Sequence, residues 1–164
     1  MKGFAGVPVT LMLVLIGVSE IEMVPEAMKQ LTGGFLKVLD QCKKELNLSD
    51  GVISDLYHLW KEEYDQISRD AGCVIHCMSQ KLELVGGDGK MHHVNIKDFA
   101  LKHGAGDEIA TQLVTLAHEC EKQKAAIEDD CERTLEMSKC FRSDVKQVDW
   151  TPKMEVIITE VIEV

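Results

Sequence analysis

The chain has 164 residues, with 28 acidic side chains against 18 basic ones and a formal net charge of −10. This acidic balance argues against binding to nucleic acid or to anionic membranes, and the length suits a single domain. Aromatic residues make up 5% of the chain and hydrophobic residues 45% in all, so a core would consist mainly of Leu, Ile, Val and Met, as in many helical proteins.

The N-terminus carries an apolar run from Phe4 to Val18. Its length is typical of the hydrophobic region of a secretory signal peptide, and the charged residues from Glu20 onward interrupt it too early for a transmembrane helix. We therefore predict that residues 1–19 are a signal peptide and that residues 20–164 form the secreted domain, with a C-terminal tail at 150–164.

Apolar residues recur at steps of three and four along six segments, a pattern that predicts six short helices. No segment has the alternation of a strand, so the predicted fold class is all-α. The segments cover residues 25–46, 51–67, the stretch from Cys73 onward, a short stretch around Phe99, residues 107–122 and residues 129–145.

Capping and turn residues set the predicted boundaries. Ser49 and Asp50 precede the second segment as helix caps, and Asn95 is placed to cap the fourth. Gly104 would end that fourth helix, and the glycine-rich residues 85–90 are predicted to form a turn.

Six cysteines fall in the predicted secreted domain. An even number in a secreted chain implies three disulfides, for which the sequence alone allows 15 pairings. Such cross-links favour a fold that is not built around a full core, such as one that encloses a cavity. The cysteines are Cys42, Cys73, Cys77, Cys120, Cys131 and Cys140.

Two chemical alternatives compete for these cysteines. A redox pair would need C-x-x-C, whereas Cys73 and Cys77 are spaced C-x-x-x-C among helices. A zinc site from His76, Cys77, His118 and Cys120 has suitable residue types, but secretion favours oxidation of the thiols. We expect a disulfide scaffold with no metal and no cofactor. Because the common nucleophile, metalloprotease and phosphate-loop motifs are missing as well, we do not expect an enzyme.

The intervals between the cysteines are 30, 3, 42, 10 and 8 residues. With the motifs DQCKKELNLSD, LWKEEYD, AGCVIHCMSQKL, MHHVN, DFALKHGA and HECEK, this spacing resembles the insect odorant-binding proteins, and more specifically the moth pheromone-binding proteins. The resemblance implies six helices around an apolar cavity. It also implies three interlocked disulfides, Cys42–Cys77, Cys73–Cys131 and Cys120–Cys140.

The resemblance further implies the residues that bind the ligand. Phe35 and Phe141 match an aromatic pair that clamps an unsaturated chain, and Ser79 matches a hydroxyl that hydrogen-bonds the head group. Without the resemblance, inward-facing apolar residues would be ordinary core. The other wall positions are Met28, Leu59, Trp60, Ile75, Met91, Phe99, Val114 and Ala117.

A pH switch is expected from two features. Three histidines match a pH-sensing cluster of the family, and protonation of the tail glutamates would let the apolar tail enter the cavity. Gly86 stands where relatives often carry an acid that pairs with the base at Arg133, so Asp88 is the alternative partner for such a gate. The switch residues are His92, His93, His118, Glu155, Glu160 and Glu163.

The resemblance also implies the function, which is to solubilise volatile long-chain alcohols, aldehydes or acetates and to carry them through sensillar lymph to olfactory receptors. Expected partners are the small apolar ligand and the receptor complex, with a homodimer left open, no nucleic acid and at most transient contact with a membrane. Two alternatives are a carrier of the same fold outside olfaction and a saposin-like lipid-handling protein.

Overall fold

The structure is a computed structural model that describes residues 37–148. This part of the chain contains six α-helices and no strand beyond a single bridge between Val85 and Met91. The all-α prediction is therefore confirmed. The helices are α1 (37–45), α2 (Gly51–Lys61), α3 (Arg69–Lys81), α4 (His93–Lys102), α5 (Asp107–Lys124) and α6 (Asp130–Asp144).

The second helix ends six residues before its predicted end at residue 67. Glu62 adopts a left-handed conformation with φ of 62° and donates its N–H to the carbonyls of the preceding turn. The Trp60 carbonyl, left without a helical donor, accepts a hydrogen bond of 2.8 Å from Nε of Arg142. α6 thus satisfies one of the free carbonyls at the end of α2. After the left-handed residue, the chain forms a separate 3₁₀ turn at Tyr64–Gln66.

The predicted cap of the fourth helix was wrong. α4 begins at His93, with His92 in the N-cap position, so Asn95 lies inside the first turn. Its side-chain amide donates 2.7 Å to the Glu83 carbonyl and so ties α4 to the end of α3. The other end agrees with prediction, since Gly104 follows the helix at a φ of 92°, where glycine is favoured.

The start of α6 is fixed from within the helix and from α3. Asp129 is the N-cap, and its carboxylate accepts 2.8 Å from the Glu132 N–H. The same carboxylate accepts 3.1 Å from Nε of Arg69 in the first turn of α3. An acid in this position also suits the positive end of the helix dipole.

α3 and α6 approach each other very closely at Gly72. A Cβ atom at this residue would lie 2.0 Å from the Cys131 carbonyl oxygen, so only glycine fits without movement of the backbone. The Cys73–Cys131 disulfide joins the helices beside this point. One turn later, Nδ1 of His76 lies 3.1 Å from Oγ1 of Thr134. From the disulfide to this pair, the contact moves three residues forward in α3 and three residues forward in α6. The two helices therefore run in the same direction.

The three disulfides pair as the resemblance implied. Cys42–Cys77 joins α1 to α3, Cys73–Cys131 joins α3 to α6, and Cys120–Cys140 joins α5 to α6. They span 35, 58 and 20 residues of sequence. For loops of this size the chain-entropy model gives about 3 to 4 kcal/mol of stabilisation each.

Within residues 37–148, buried side chains form two small clusters instead of one large core. The first includes Leu39, Val74 and Met78, and the second is built mainly from alanines together with Leu113 and Val145. Within residues 37–148, none of the helices has both the length and the apolar character that a membrane span requires.

We predict that Gly72→Ala destabilises the fold by roughly 1 to 3 kcal/mol, the usual cost of overpacking, because the new methyl group collides with the Cys131 carbonyl. Thermal unfolding with intact disulfides measures the change. Gly87→Ala is the matched control, since its new Cβ meets no atom within 4 Å. Equal melting temperatures for the two variants would contradict the assigned contact between α3 and α6.

Candidate ligand cavity

A cavity of about 400 Å³ lies among the helices. This volume falls in the range of small-molecule sites. Its wall is mainly apolar, with five polar side chains from α3 and α6: Ser79, Arg133, Thr134, Ser138 and Arg142. The apolar wall residues are Leu39, Ile53, Leu56, Leu59, Trp60, Ile75, Leu84, Val85, Met91, Ile96, Phe99, Ala100, Leu113, Ala117, Met137 and Phe141.

The structure brings most of the predicted binding residues together in this wall. They come from α2, α3, α4, α5 and α6 and from the loop that precedes α4. Met28 and Phe35 lie outside the described residues, so their roles stay predictions. The predicted residues that line the cavity are Leu59, Trp60, Ile75, Ser79, Met91, Phe99, Ala117 and Phe141.

Val114 is an exception, because it does not line the cavity. α5 contributes Leu113 and Ala117 instead, which are four residues apart on one helical face. A helix turns by about 100° per residue, so Val114 is turned away from that face.

Sequence analysis missed the polar part of the α6 wall. Thr134, Ser138 and Arg142 recur at steps of four residues and all line the cavity. That period is the signal that would have revealed a shared helical face. The apolar period of α6 indicates only its buried residues.

The serine and threonine hydroxyls of the wall differ in their hydrogen bonds. Ser138 donates 2.8 Å to the Thr134 carbonyl, one turn back in α6. The Thr134 hydroxyl pairs with His76 behind the wall. Ser79 has no side-chain hydrogen bond within residues 37–148, so its hydroxyl is free to bind a ligand.

Arg133 forms no gate with Asp88, the acid that could have taken the place of the one missing at Gly86. One of its terminal nitrogens donates 2.7 Å to the Ile127 carbonyl, and the other pairs with Asp130. Asp88 instead accepts 3.1 Å from the N–H of Lys90 within the turn. The glycine-rich turn therefore lies against Arg133 without an ion pair to it.

A cluster of one carboxylate and two histidines lies beside the cavity. Oε2 of Glu121 is 3.3 Å from Nδ1 of His118 and 3.6 Å from Nε2 of His93. The two imidazole rings meet edge to face, with centroids 4.5 Å apart. The other carboxylate oxygen accepts 2.9 Å from the N–H of Met91, a wall residue. Glu121 thus links the histidines of α4 and α5 to the cavity wall.

The environment of Glu121 favours its ionised form. Burial by itself raises the pKa of the carboxyl, but the hydrogen bonds from the Met91 N–H, His118 and His93 outweigh burial. Together they hold the pKa of Glu121 below its ordinary value of 4.5. The carboxylate therefore stays charged through the range in which histidines titrate.

The remaining switch residues are not part of this cluster. His92 is exposed, with its ring against Gly86 in the turn. Glu155, Glu160 and Glu163 lie outside the described residues, so entry of the tail into the cavity stays a prediction.

The zinc site considered from the sequence does not form, because Cys77 and Cys120 belong to different disulfides. In the described part of the chain, two other groups have suitable atoms within 4.8 Å of one another. The thiols of Cys120 and Cys140 beside Asp144 are bonded to each other, and the atoms of the histidine–glutamate cluster are already in contact with one another.

Short helices cross-linked by three disulfides around an apolar cavity define a small binding protein for apolar ligands. Comparison with known proteins identifies the family. The model of the PBP/GOBP family matches residues 25–144, so the chain belongs to the PBP/GOBP family.

The relatives include pheromone-binding and general odorant-binding proteins of moths. The chain is 40% identical to Pheromone-binding protein 2 of Epiphyas postvittana, over 87% of this chain and 86% of that protein. It is 34% identical to General odorant-binding protein 2 of Antheraea pernyi, over 93% of this chain and 95% of the relative.

Solved structures agree with this assignment. Pheromone Binding Protein 3 of Epiphyas postvittana superposes with a TM-score of 0.69 at 54% identity, covering 71% of this chain and 99% of that one. An odorant-binding protein of Drosophila melanogaster is 19% identical over 73% of this chain and 96% of that one, and its TM-score of 0.51 indicates a likeness in fold alone.

The family confirms that the protein binds odorants or pheromones and is not an enzyme. It also corrects the saposin-like alternative, since the matched family is a different one.

We predict that Glu121→Gln lowers the free energy of unfolding by about 1.5 to 3 kcal/mol at pH 7, the usual value of a hydrogen bond to a charged group. Because the folded-state pKa of Glu121 is lowered, its stabilisation is present above the unfolded pKa and is lost as pH falls through the folded pKa. Urea unfolding between pH 7 and pH 3 should show the difference from wild type shrinking below pH 4.5.

Glu119→Gln is the control for this measurement, because Glu119 is exposed and its carboxylate lies 3.5 Å from Lys122. A difference between wild type and Glu121→Gln that stays constant down to pH 3 would show that Glu121 is not stabilised as described.

Proposed function

We propose that the protein binds volatile long-chain alcohols, aldehydes or acetates in this cavity. It is secreted, and it carries the ligand through the aqueous lymph of olfactory sensilla to membrane receptors. The observation that carries the proposal is the wall itself, which joins residues from all six helices into one apolar surface with few polar groups.

The expected affinity follows from the apolar area that the ligand buries. A chain of about fourteen methylene groups gains roughly 11 kcal/mol on leaving water, and association costs at least about 4 kcal/mol. The remainder is at most about 7 kcal/mol, which corresponds to dissociation constants in the micromolar range or weaker. Chain length would therefore govern affinity more than the head group does.

We also propose that acid releases the ligand through the His93–His118–Glu121 cluster. Histidines gain charge between pH 7 and pH 5. Two imidazolium rings at 4.5 Å repel each other and compete for one carboxylate, which also holds the Met91 N–H. Loss of that hydrogen bond loosens the loop that carries Met91 in the cavity wall.

Other charged groups face the same cluster and enter its balance. Asp88 and Lys90 come from the turn, Lys122 from α5 and Arg133 from α6. Three of these four are cations, but Arg133 is paired with Asp130 and Lys122 lies 3.5 Å from Glu119, so these two charges are largely compensated. The carboxylates of Glu121 and Asp88 are the opposing charges.

A carrier of other lipophiles outside olfaction would use the same cavity. Tissue expression separates the two roles, because only the olfactory carrier is expected in the antenna.

We predict that Ala117→Phe weakens binding of C14 to C16 alcohols and aldehydes at least about tenfold, because the ring occupies space that the chain needs and each methylene excluded loses about 0.8 kcal/mol. Displacement of a fluorescent apolar probe at pH 7 measures the effect. The control is Ala126→Phe, at an exposed position between α5 and α6. Equal affinity of both variants would place the ligand elsewhere, and a wild-type protein that binds none of these compounds would overturn the carrier function.

We predict that wild-type affinity falls about tenfold or more from pH 7 to pH 5, equivalent to 1.4 kcal/mol. The double variant His93→Gln and His118→Gln should show a smaller fall, because no imidazolium pair can form. His58→Gln is the control, since His58 pairs with Glu63 at the end of α2. Constant wild-type affinity over this range, or an unchanged fall in the double variant, would remove the cluster as the switch.

A further inference from the structure

A polar stripe runs along the cavity side of α6. Its residues, Thr134, Ser138 and Arg142, are spaced by four and all line the cavity. Side chains at this spacing are neighbours on a helix, with Cβ atoms about 5 to 6 Å apart. Ser138 and Arg142 can therefore bind the same small polar group.

Ser138 presents only an acceptor to the cavity. A serine hydroxyl has one hydrogen to donate and two lone pairs. Its hydrogen is engaged, because the hydroxyl donates 2.8 Å to the Thr134 carbonyl. A ligand that approaches Ser138 must therefore supply a donor.

Arg142 presents only donors, since a guanidinium has no acceptor. Its Nε donates 2.8 Å to the Trp60 carbonyl, and its charge lies over the Trp60 ring at 4.3 Å from the centroid. These contacts fix the plane of the group. Nη1 is buried and has no hydrogen-bond partner within residues 37–148, which is a costly state for a charged donor.

We propose that Ser138 and Arg142 form a head-group subsite that selects a long-chain alcohol. The proposal rests on the carrier function and names its ligand class. The alcohol oxygen accepts a hydrogen bond from Nη1 of Arg142 and donates its hydrogen to Oγ of Ser138. An aldehyde or acetate carbonyl can bind Arg142 but leaves the Ser138 acceptor unpaired.

The other polar groups of the wall do not make this choice. The terminal nitrogens of Arg133 are engaged by backbone carbonyls and Asp130. The Ser79 hydroxyl makes no hydrogen bond within residues 37–148. Because α3 and α6 run in the same direction, Ser79 lies on the same side of the cavity as Ser138. A free hydroxyl can donate or accept, so Ser79 stabilises alcohols and carbonyl compounds alike.

Probe displacement at pH 7 with an alkane, alcohol, aldehyde and acetate of one chain length tests the subsite. We expect wild type to bind the alcohol most tightly. Ser138→Ala should weaken the alcohol about 3- to 10-fold, the effect of one neutral hydrogen bond. It should leave the aldehyde, acetate and alkane nearly unchanged, whereas Ser79→Ala should weaken the alcohol and both carbonyl compounds together.

Arg142→Met should weaken the alcohol and both carbonyl compounds about tenfold or more, as for a charged hydrogen bond. If Arg142→Met does not fold, Arg142→Lys takes its place. Lysine keeps the charge but not the planar guanidinium, so this variant should weaken the same ligands. Unchanged alkane affinity shows that the cavity is intact. Arg133→Met is the matched control and should affect all four ligands equally.

Three results would overturn the subsite and leave the carrier function intact. They are equal wild-type affinity for alcohol and aldehyde, an equal loss of both in Ser138→Ala, and an alcohol affinity that is unchanged in both Arg142 variants. Failure of every ligand, including the alkane, to bind would instead overturn the carrier function, and the subsite with it.

Discussion

The Cys131 carbonyl of α6 occupies the space that a side chain at residue 72 of α3 would need. The other walls of the cavity depend on this close approach of α3 and α6. Gly72 allows it, and the adjacent Cys73–Cys131 disulfide holds it. From this pair of helices, Cys77 extends the cross-linking to α1 and Cys140 extends it to α5. Since α3 and α6 also supply the five polar side chains that line the cavity within residues 37–148, their relative position fixes where a ligand can form hydrogen bonds with this part of the chain.

The cavity persists because the two buried clusters on which its walls rest are small and separate. Leu39 belongs to one cluster and Leu113 to the other, and each also lines the cavity. A single close-packed core would fill this space. Because the cavity takes the place of such a core, the fold gains less hydrophobic stabilisation. The disulfides offset that shortfall, as they do in many small secreted domains.

Sequence reasoning predicted the helices and inward faces but not every contact between them. Leu113 and Ala117 of α5 share one apolar helical face, yet such a period does not separate core from cavity wall. Asn95 looked like a cap because caps are read locally, whereas its partner, the Glu83 carbonyl, belongs to another helix. The pairing of the cysteines came from family resemblance, because their spacing alone left every pairing open. The Trp60 carbonyl at the end of α2 is satisfied by Arg142, which is distant in sequence.

Four helices of this frame share covalent cross-links, but α2 and α4 contain no cysteine. α4 packs against α5 and supplies Ile96, Phe99 and Ala100 to the wall. Segments held by side-chain contacts alone open at lower free energy than the global transition. Backbone amides of α4 should therefore exchange with solvent ahead of those in α3 and α6. Strengthening the disulfide-bonded frame would raise the melting temperature but would not slow any ligand exchange that passes through this local opening.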